Sequence, residues 1–264
     1  MSAKRLIVNA DDFGFTRDVN AGIVEAHVRG ILTATTLMAN GDAFDDAVEL
    51  AGKHPTLDVG IHFVLVGGRS LVTGEPLPAD VPSLVRAVYA GQINLYEELA
   101  AQARKITGAG LRPLHADTHK HTHLLAPVCR AVRTVAEEYG IRFLRRPRDL
   151  DLPYRAPWKA KLVNLLVRDR ATAMDLSPFR VTNHFAGFTI TGRYNAADLQ
   201  ALFARLPEGV TELMTHPGHC TEELKKAPTR LKESRAAELA ALTDPATRGA
   251  LEQHQIQLTR YQEL

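Results

Sequence analysis

Arg5-Leu6-Ile7-Val8-Asn9-Ala10-Asp11-Asp12-Phe13-Gly14 decides the fold. Arg5–Ala10 is a short apolar run bounded by acids, and it reads as a buried strand of a parallel sheet. No glycine-rich phosphate loop follows it, which argues against a nucleotide-binding sheet. Two carboxylates follow instead. In parallel barrels and open parallel sheets, side chains at strand C-terminal ends converge on the active face.

The same alternation of short apolar runs and longer amphipathic stretches continues along the chain. Thr33–Ala39, Leu57–Phe63, Leu114–His119, Ile141–Arg145, Thr182–Phe185, Val210–Thr215 and Ile256–Leu258 read as further strands. Val19–Arg29, Ala43–His54 and Pro127–Tyr139 read as helices, with helical patterns also between Ser83 and Thr107 and from Arg230 onward. Val64–Pro82, rich in Gly and Pro, reads as a long loop. About eight strands with intervening helices predict an α/β fold, a deformed (β/α) barrel, over one domain spanning residues 1–264. An open doubly wound sheet is the alternative.

The chain has 264 residues, 45% apolar and 23% charged, which suits a globular protein with a sizeable core. A formal net charge of +2 is too small to make nucleic acid the main partner. Cys129 and Cys220 form no CxxC pattern and are expected as reduced thiols. The opening residues hold no signal-peptide core and no apolar run approaches membrane-spanning length, so a cytoplasmic protein is expected.

Polar residues recur where apolar strands end: Asp11 and Asp12, His62, Asp117 and His119, and His216. Singly, each has an ordinary explanation. An Asp pair after a strand is often a helix cap, with Asp18 or Thr16 as rival caps. The run Asp117-Thr118-His119-Lys120-His121-Thr122-His123 is sharper, because alternating histidines on a strand would share one face.

Four segments occur in order: Asn9-Ala10-Asp11-Asp12-Phe13-Gly14, Gly60-Ile61-His62, Asp117 to His123, and Met214-Thr215-His216-Pro217. Together they resemble the YdjC-like family, which includes the chitooligosaccharide deacetylases. The stretches around His119-Lys120-His121, Arg145-Arg146-Pro147 and Leu206–Glu212 are most similar to a branch associated with hopanoid biosynthesis. The resemblance implies a deformed (β/α) barrel of the glycoside hydrolase/deacetylase type. It further implies one divalent metal held by Asp12, His62 and His119, with Asp11 as catalytic base and His216 as the histidine opposite. This chain departs from the family pattern at Thr118 and Lys120, where Ser and His are usual.

The chemistry implied is removal of an N-acetyl group from an N-acetylglucosamine-containing sugar, a chitooligosaccharide or a lipid-linked glycan. Water and amides react poorly with each other at neutral pH; a cation polarises the carbonyl and lowers the pKa of a coordinated water from about 15.7 toward about 7. One carboxylate and two imidazoles suit Zn²⁺, Co²⁺ or Mn²⁺ better than Mg²⁺, although Mg²⁺ is also associated with the family. His184, Arg145 and Asp117 are further candidates for substrate contact, with Asp117 alternatively the acceptor for a ligand histidine and Arg146 beside the mouth.

Arg145–Arg170 is basic and interspersed with Trp158, Leu162, Val163, Leu165, Leu166 and Val167. At helical spacing it reads as a helix packed on the barrel or on a second subunit of a homodimer, or as a peripheral membrane contact for a lipid-linked substrate. Competing functions are a two-metal phosphoesterase, a non-catalytic sugar-binding protein, and a glycosidase with two separated carboxylates.

Overall fold

The computed structural model describes residues 3–150 and 158–264. Its strands are β1 (Lys4–Phe13), β2 (Ala34–Leu37), β3 (Asp58–Phe63), β4 (His115–Thr118), β5 (Phe143–Leu144), β6 (His184–Ala186), β7 (Gly209–Thr215) and β8 (Ile256–Leu258). The helices are α1 (Arg17–Arg29), α2 (Phe44–Lys53), α3 (Val81–Tyr89), α4 (Leu95–Gly108), α5 (Ala126–Glu138), α6 (Trp158–Ala173), α7 (Ala196–Phe203), α8 (Glu222–Lys226), α9 (Glu233–Thr243) and α10 (Pro245–Gln253).

All strand pairings are parallel, in the order β5-β4-β3-β2-β1-β7-β6. The long β1 also pairs with β8 over Lys4–Leu6, at the end opposite Asp11 and Asp12. Leu6, Ile7, Val8 and Ala10 are fully buried, as expected for a central strand covered on both faces. The sheet curls until its edges nearly meet: Phe143 of β5 bridges Arg180, and Asp149, just past β5, bridges Phe185 of β6. This is the deformed barrel expected, rather than an open doubly wound sheet.

Helix starts follow local chemistry. Thr16 caps α1 by accepting from Val19 N at 3.3 Å, so Asp11 and Asp12 are free of that duty. Pro127 and Pro245 sit in the first turns of α5 and α10, where a missing N–H costs nothing. The first helical turn of α1 also carries Asp18, whose carboxylate accepts from the backbone of Thr221 and Leu224 and so tethers α8.

One expected strand feature does not hold. The strand β4 ends at Thr118, before His119, and Lys120 and His121 adopt left-handed backbone angles with φ of 53° and 51°. Two successive left-handed residues break the period-two alternation. His119, His121 and His123 therefore face different neighbours rather than one face.

Of the basic segment, residues 151–157 lie outside the described residues, as do the side chains of Trp158 and Leu162. From Trp158 onward the segment is helical, within α6, but Val163, Leu165 and Leu166 are 49%, 62% and 51% exposed, so these three do not pack on the barrel. No helix among the described residues is long and apolar enough to cross a membrane. Cys129 and Cys220 are free thiols.

Candidate active site

Register delivers the polar residues to one end of the sheet. His62 pairs with Asp117 across β3 and β4, and Ala10 pairs with Thr215 across β1 and β7. The next residues, Asp11 and His216, therefore leave neighbouring strands at one height. Gly60 makes room beneath: a Cβ there would lie 2.5 Å from the His115 ring.

Asp12 Oδ1 lies 3.3 Å from His62 Nε2 and 3.0 Å from His119 Nδ1, and the two ring nitrogens are 3.2 Å apart. Donors about 2.1 Å from one cation lie about 3.0 Å apart at octahedral angles and about 3.4 Å apart at tetrahedral angles. The three spacings fall in that range, so these atoms fit a single divalent cation. The mixed N/O set matches the chemistry expected of Zn²⁺, Co²⁺ or Mn²⁺.

His62 is aimed by its other nitrogen. Nδ1 lies 2.6 Å from Asp117 Oδ1 and 3.2 Å from Thr36 Oγ1, which leaves Nε2 for the centre of the cluster. Burial pushes the imidazole pKa of His62 down, but Asp117, Asp12 and Asp11 outweigh it and raise it to about 10. The field of these carboxylates thus demands positive charge where the three donor atoms converge.

Asp11 is gripped from the opposite side. Arg145 donates from Nη1 and Nη2 to its two oxygens, each at 2.7 Å, from Nε to Glu212 at 2.6 Å, and also contacts Asp117. Asn9 Nδ2 adds a bond to Asp11 at 2.9 Å. Burial pushes the Asp11 carboxyl up, but the Arg145 guanidinium more than offsets this and holds it below the usual carboxylate range. Asp11, His62 and Asp117 also converge, but there the guanidinium of Arg145 bonds both carboxylates and already supplies positive charge.

His216 lines a cavity of about 830 Å³ whose wall also includes Asp11, Asp12, His62 and His119. Its backbone N donates to Glu238 Oε2 at 2.6 Å, and its Nδ1 has no partner among the described residues. Burial holds its pKa down, against the pull of Glu238, Asp11 and Asp12. Two glycines fix its approach: a Cβ on Gly22 of α1 would come within 2.4 Å of Gly218, just after His216.

Three expected substrate contacts are corrected. His184 opens β6 in register with Thr211, four residues before the site end of β7, and its Nε2 bonds Glu208 O at 3.1 Å. It is at the far end of the sheet. Arg145 and Asp117 are 4% and 2% exposed and lie beneath the site, occupied with each other, Asp11 and His62. Arg146 is engaged with Met174 O at 3.3 Å and does not line the cavity.

His121 lines the cavity beside Phe185 and Phe188, with ring centroids 6.2 and 5.4 Å away. His123 is structural: Thr118 Oγ1 lies 2.5 Å from its Nδ1, and its Nε2 donates to Arg145 O at 3.0 Å.

Sequence reading missed Glu212, Arg235 and Glu238. Glu212 sits within β7 and Glu238 within α9, and each is about 1% exposed, as is Arg235. Buried charge in an apolar strand or on the apolar side of a helix is the signal that could have found them.

Residues 5–253 match the YdjC-like protein family. The chain belongs to the YdjC-like family. Proteins named carbohydrate deacetylase are its relatives. One from Brevibacillus brevis is 35% identical over 98% of this chain and 99% of its own length. One from Homo sapiens is 33% identical over 98% of this chain and 91% of its own. Among solved structures, an Enterococcus faecalis protein provisionally described as a cellobiose-phosphate cleavage protein superposes on this YdjC-like chain with TM-score 0.78 at 27% identity, covering 99% of each. A CE4 family pseudoenzyme variant from Bacillus anthracis with restored activity gives TM-score 0.51 at 11% identity over 99% of this chain and 67% of its own, a likeness of fold alone.

Proposed function

We propose that this chain is a carbohydrate deacetylase that hydrolyses the N-acetyl group of an N-acetylglucosamine-containing sugar with the help of one divalent cation. The observation that carries the reading is the convergence of Asp12 Oδ1, His62 Nε2 and His119 Nδ1 within 3.0–3.3 Å of one another, with the carboxylate of Asp11 and the imidazole of His216 in the wall of the same cavity. Its family relatives, named for carbohydrate deacetylation, support the substrate class.

Asp12, His62 and His119 would hold the cation. When bound, it supplies Lewis acidity to the amide carbonyl and to the attacking water. Asp11 orients that water and takes a proton from it as the oxygen bonds to the carbonyl carbon. Arg145 keeps Asp11 ionised and fixes its plane, so it enters each cycle as a proton acceptor. His216 is neutral at rest through burial and takes up a proton within the cycle, favoured by Asp11, Asp12 and Glu238. It passes this proton to nitrogen as the C–N bond breaks. Acetate leaves and the sugar keeps its nitrogen as an ammonium: the proton Asp11 took and the one left on the attacking oxygen both end on nitrogen, one of them by way of His216, and Asp11 is again a carboxylate.

The Arg145 guanidinium bonded to both Asp11 and Asp117, where a second metal would need free carboxylates, counts against the two-metal phosphoesterase alternative. A pure sugar-binding protein would have no use for a second carboxylate beside the cation.

The test is acetate release from a panel of N-acetyl sugars after chelation and restoration of each divalent ion. Asp11→Asn is expected to keep the cation and lose turnover, by about 10²–10⁴-fold as for a lost general base. His119→Ala is expected to lose the cation. A fully active Asp11→Asn protein removes Asp11 as base; release of acetate by metal-free protein at the full rate removes the metal.

A further inference from the structure

Arg235, the third residue of α9, is about 1% exposed, a guanidinium taken wholly inside the protein. Burying such a charge is costly unless it is paired. Among the described residues it has one carboxylate partner: Nη2 donates to Asp12 Oδ2. Its Nε donates to Leu231 O at 3.2 Å, and its Nη1 has no partner among the described residues. The fold thus places an incompletely matched buried cation against one oxygen of one carboxylate.

The surroundings are shaped for it. Gly218 N donates to Arg235 O at 3.2 Å, and a Cβ on Gly218 would stand 3.2 Å from Arg235 Cδ. Asp12 itself has a left-handed backbone, φ 69°, which a residue with a Cβ adopts only at a cost. Its two oxygens are divided. Oδ1 faces His62 and His119, whereas Oδ2 faces Arg235.

We propose that Arg235 is a positioning residue that holds Asp12 as a one-oxygen metal ligand, presenting Oδ1 to the cation and withholding Oδ2. This rests on the reading of Asp12, His62 and His119 as ligands. Two effects of Arg235 on metal binding have opposite signs. By charge alone, a guanidinium repels a nearby divalent cation and weakens the carboxylate's pull, so removing it tightens binding. By positioning, it keeps the carboxylate from rotating or chelating through both oxygens, so removing it weakens binding. The direction of the change separates them.

The experiment compares wild type, Arg235→Met and Arg235→Lys, each stripped with chelator. Zn²⁺ is titrated calorimetrically, and the visible absorption of the Co²⁺-loaded protein reports ligand geometry. Arg235→Met is expected to bind Zn²⁺ about 10–100-fold more weakly, the usual loss when a ligand's support is removed. Its Co²⁺ bands are expected to shift as Asp12 ligation changes, and Arg235→Lys to fall between it and wild type. An Arg235→Met protein that binds Zn²⁺ as tightly as wild type, or more tightly, overturns the proposal. So does weaker binding with an unchanged Co²⁺ spectrum, which would make Arg235 a packing element only. Far-UV circular dichroism checks folding; if the Met variant does not fold, the Lys variant decides by the same criteria. Wild-type protein that takes up no cation overturns the reading of the whole site, a different outcome from wild type and variants binding alike.

Discussion

Replacing Arg145 with Met is the most informative single change to the protein interior. The guanidinium contacts three carboxylates, Asp11, Asp117 and Glu212, and all four side chains are 1–4% exposed. Methionine matches much of the volume and none of the charge, so three buried acids lose their common cation. Removing one partner of a buried ion pair costs about 3–5 kcal/mol, and the several partners here put the cost at the upper end. Against a total stability of about 5–15 kcal/mol this is a large fraction. The deficit depends on pH. In wild type, burial pushes Asp11 up and Arg145 more than offsets it, so the folded pKa lies below the unfolded one. Without Arg145 the largest charge opposing burial at Asp11 is gone, only His62 and His216 still draw its pKa down, and that folded pKa is expected to rise above the unfolded one. The folded variant then binds more protons than its unfolded chain, and its deficit shrinks as pH falls from 8 to 5. Urea unfolding of metal-free protein, followed by far-UV circular dichroism, measures this. Adding Glu212→Gln to Arg145→Met removes one orphaned charge and is expected to recover about 1–3 kcal/mol. A deficit below about 1 kcal/mol, or one constant between pH 8 and 5, would refute the reasoning, since a buried pair is worth several times that.

The same interior sets three further outcomes. His115 and His123 are pushed down to about 3, chiefly by burial, whereas an unfolded histidine titrates near about 6.5. Between those values the unfolded chain binds more protons, so stability falls as pH drops below about 6.5, by about 1.4 kcal/mol per unit per histidine. His115→Gln is expected to remove one histidine's share of that slope in urea melts; an unchanged slope would show that His115 is protonated in the folded state. His62, raised to about 10 in metal-free protein, acts in the opposite window: its contribution is complete below about 6.5 and is lost as pH climbs through 10. Asp117→Asn removes the charge that aims His62 and is expected to weaken Zn²⁺ binding about 10–100-fold by calorimetry; an unaltered Kd would mean that Thr36 alone orients the ring.

Much of the frame was legible before any coordinates. Apolar runs ending in Asp11, His62, Asp117 and His216 located the strands and the side of the sheet that carries chemistry, because parallel strands share one C-terminal face. The expected ligands Asp12, His62 and His119 do meet. Periodicity failed at His121 and His123, because the strand stops at Thr118 and Lys120 and His121 turn left-handed beyond it. It failed at His184 because a histidine near a strand gives no sign of which end it occupies.

By itself, the sequence determined which chemical groups are available and at which strand ends they emerge, since burial periodicity and turn residues are local properties. Tertiary structure alone decided how the charges are matched. Arg145 meets Asp11 from 134 positions away, and Arg235 meets Asp12 from 223. No local pattern encodes those distances; they are set by the order in which parallel strands and the helix α9 close around one cavity. The low dielectric of that interior then makes each pairing count far more than the same charges would in water.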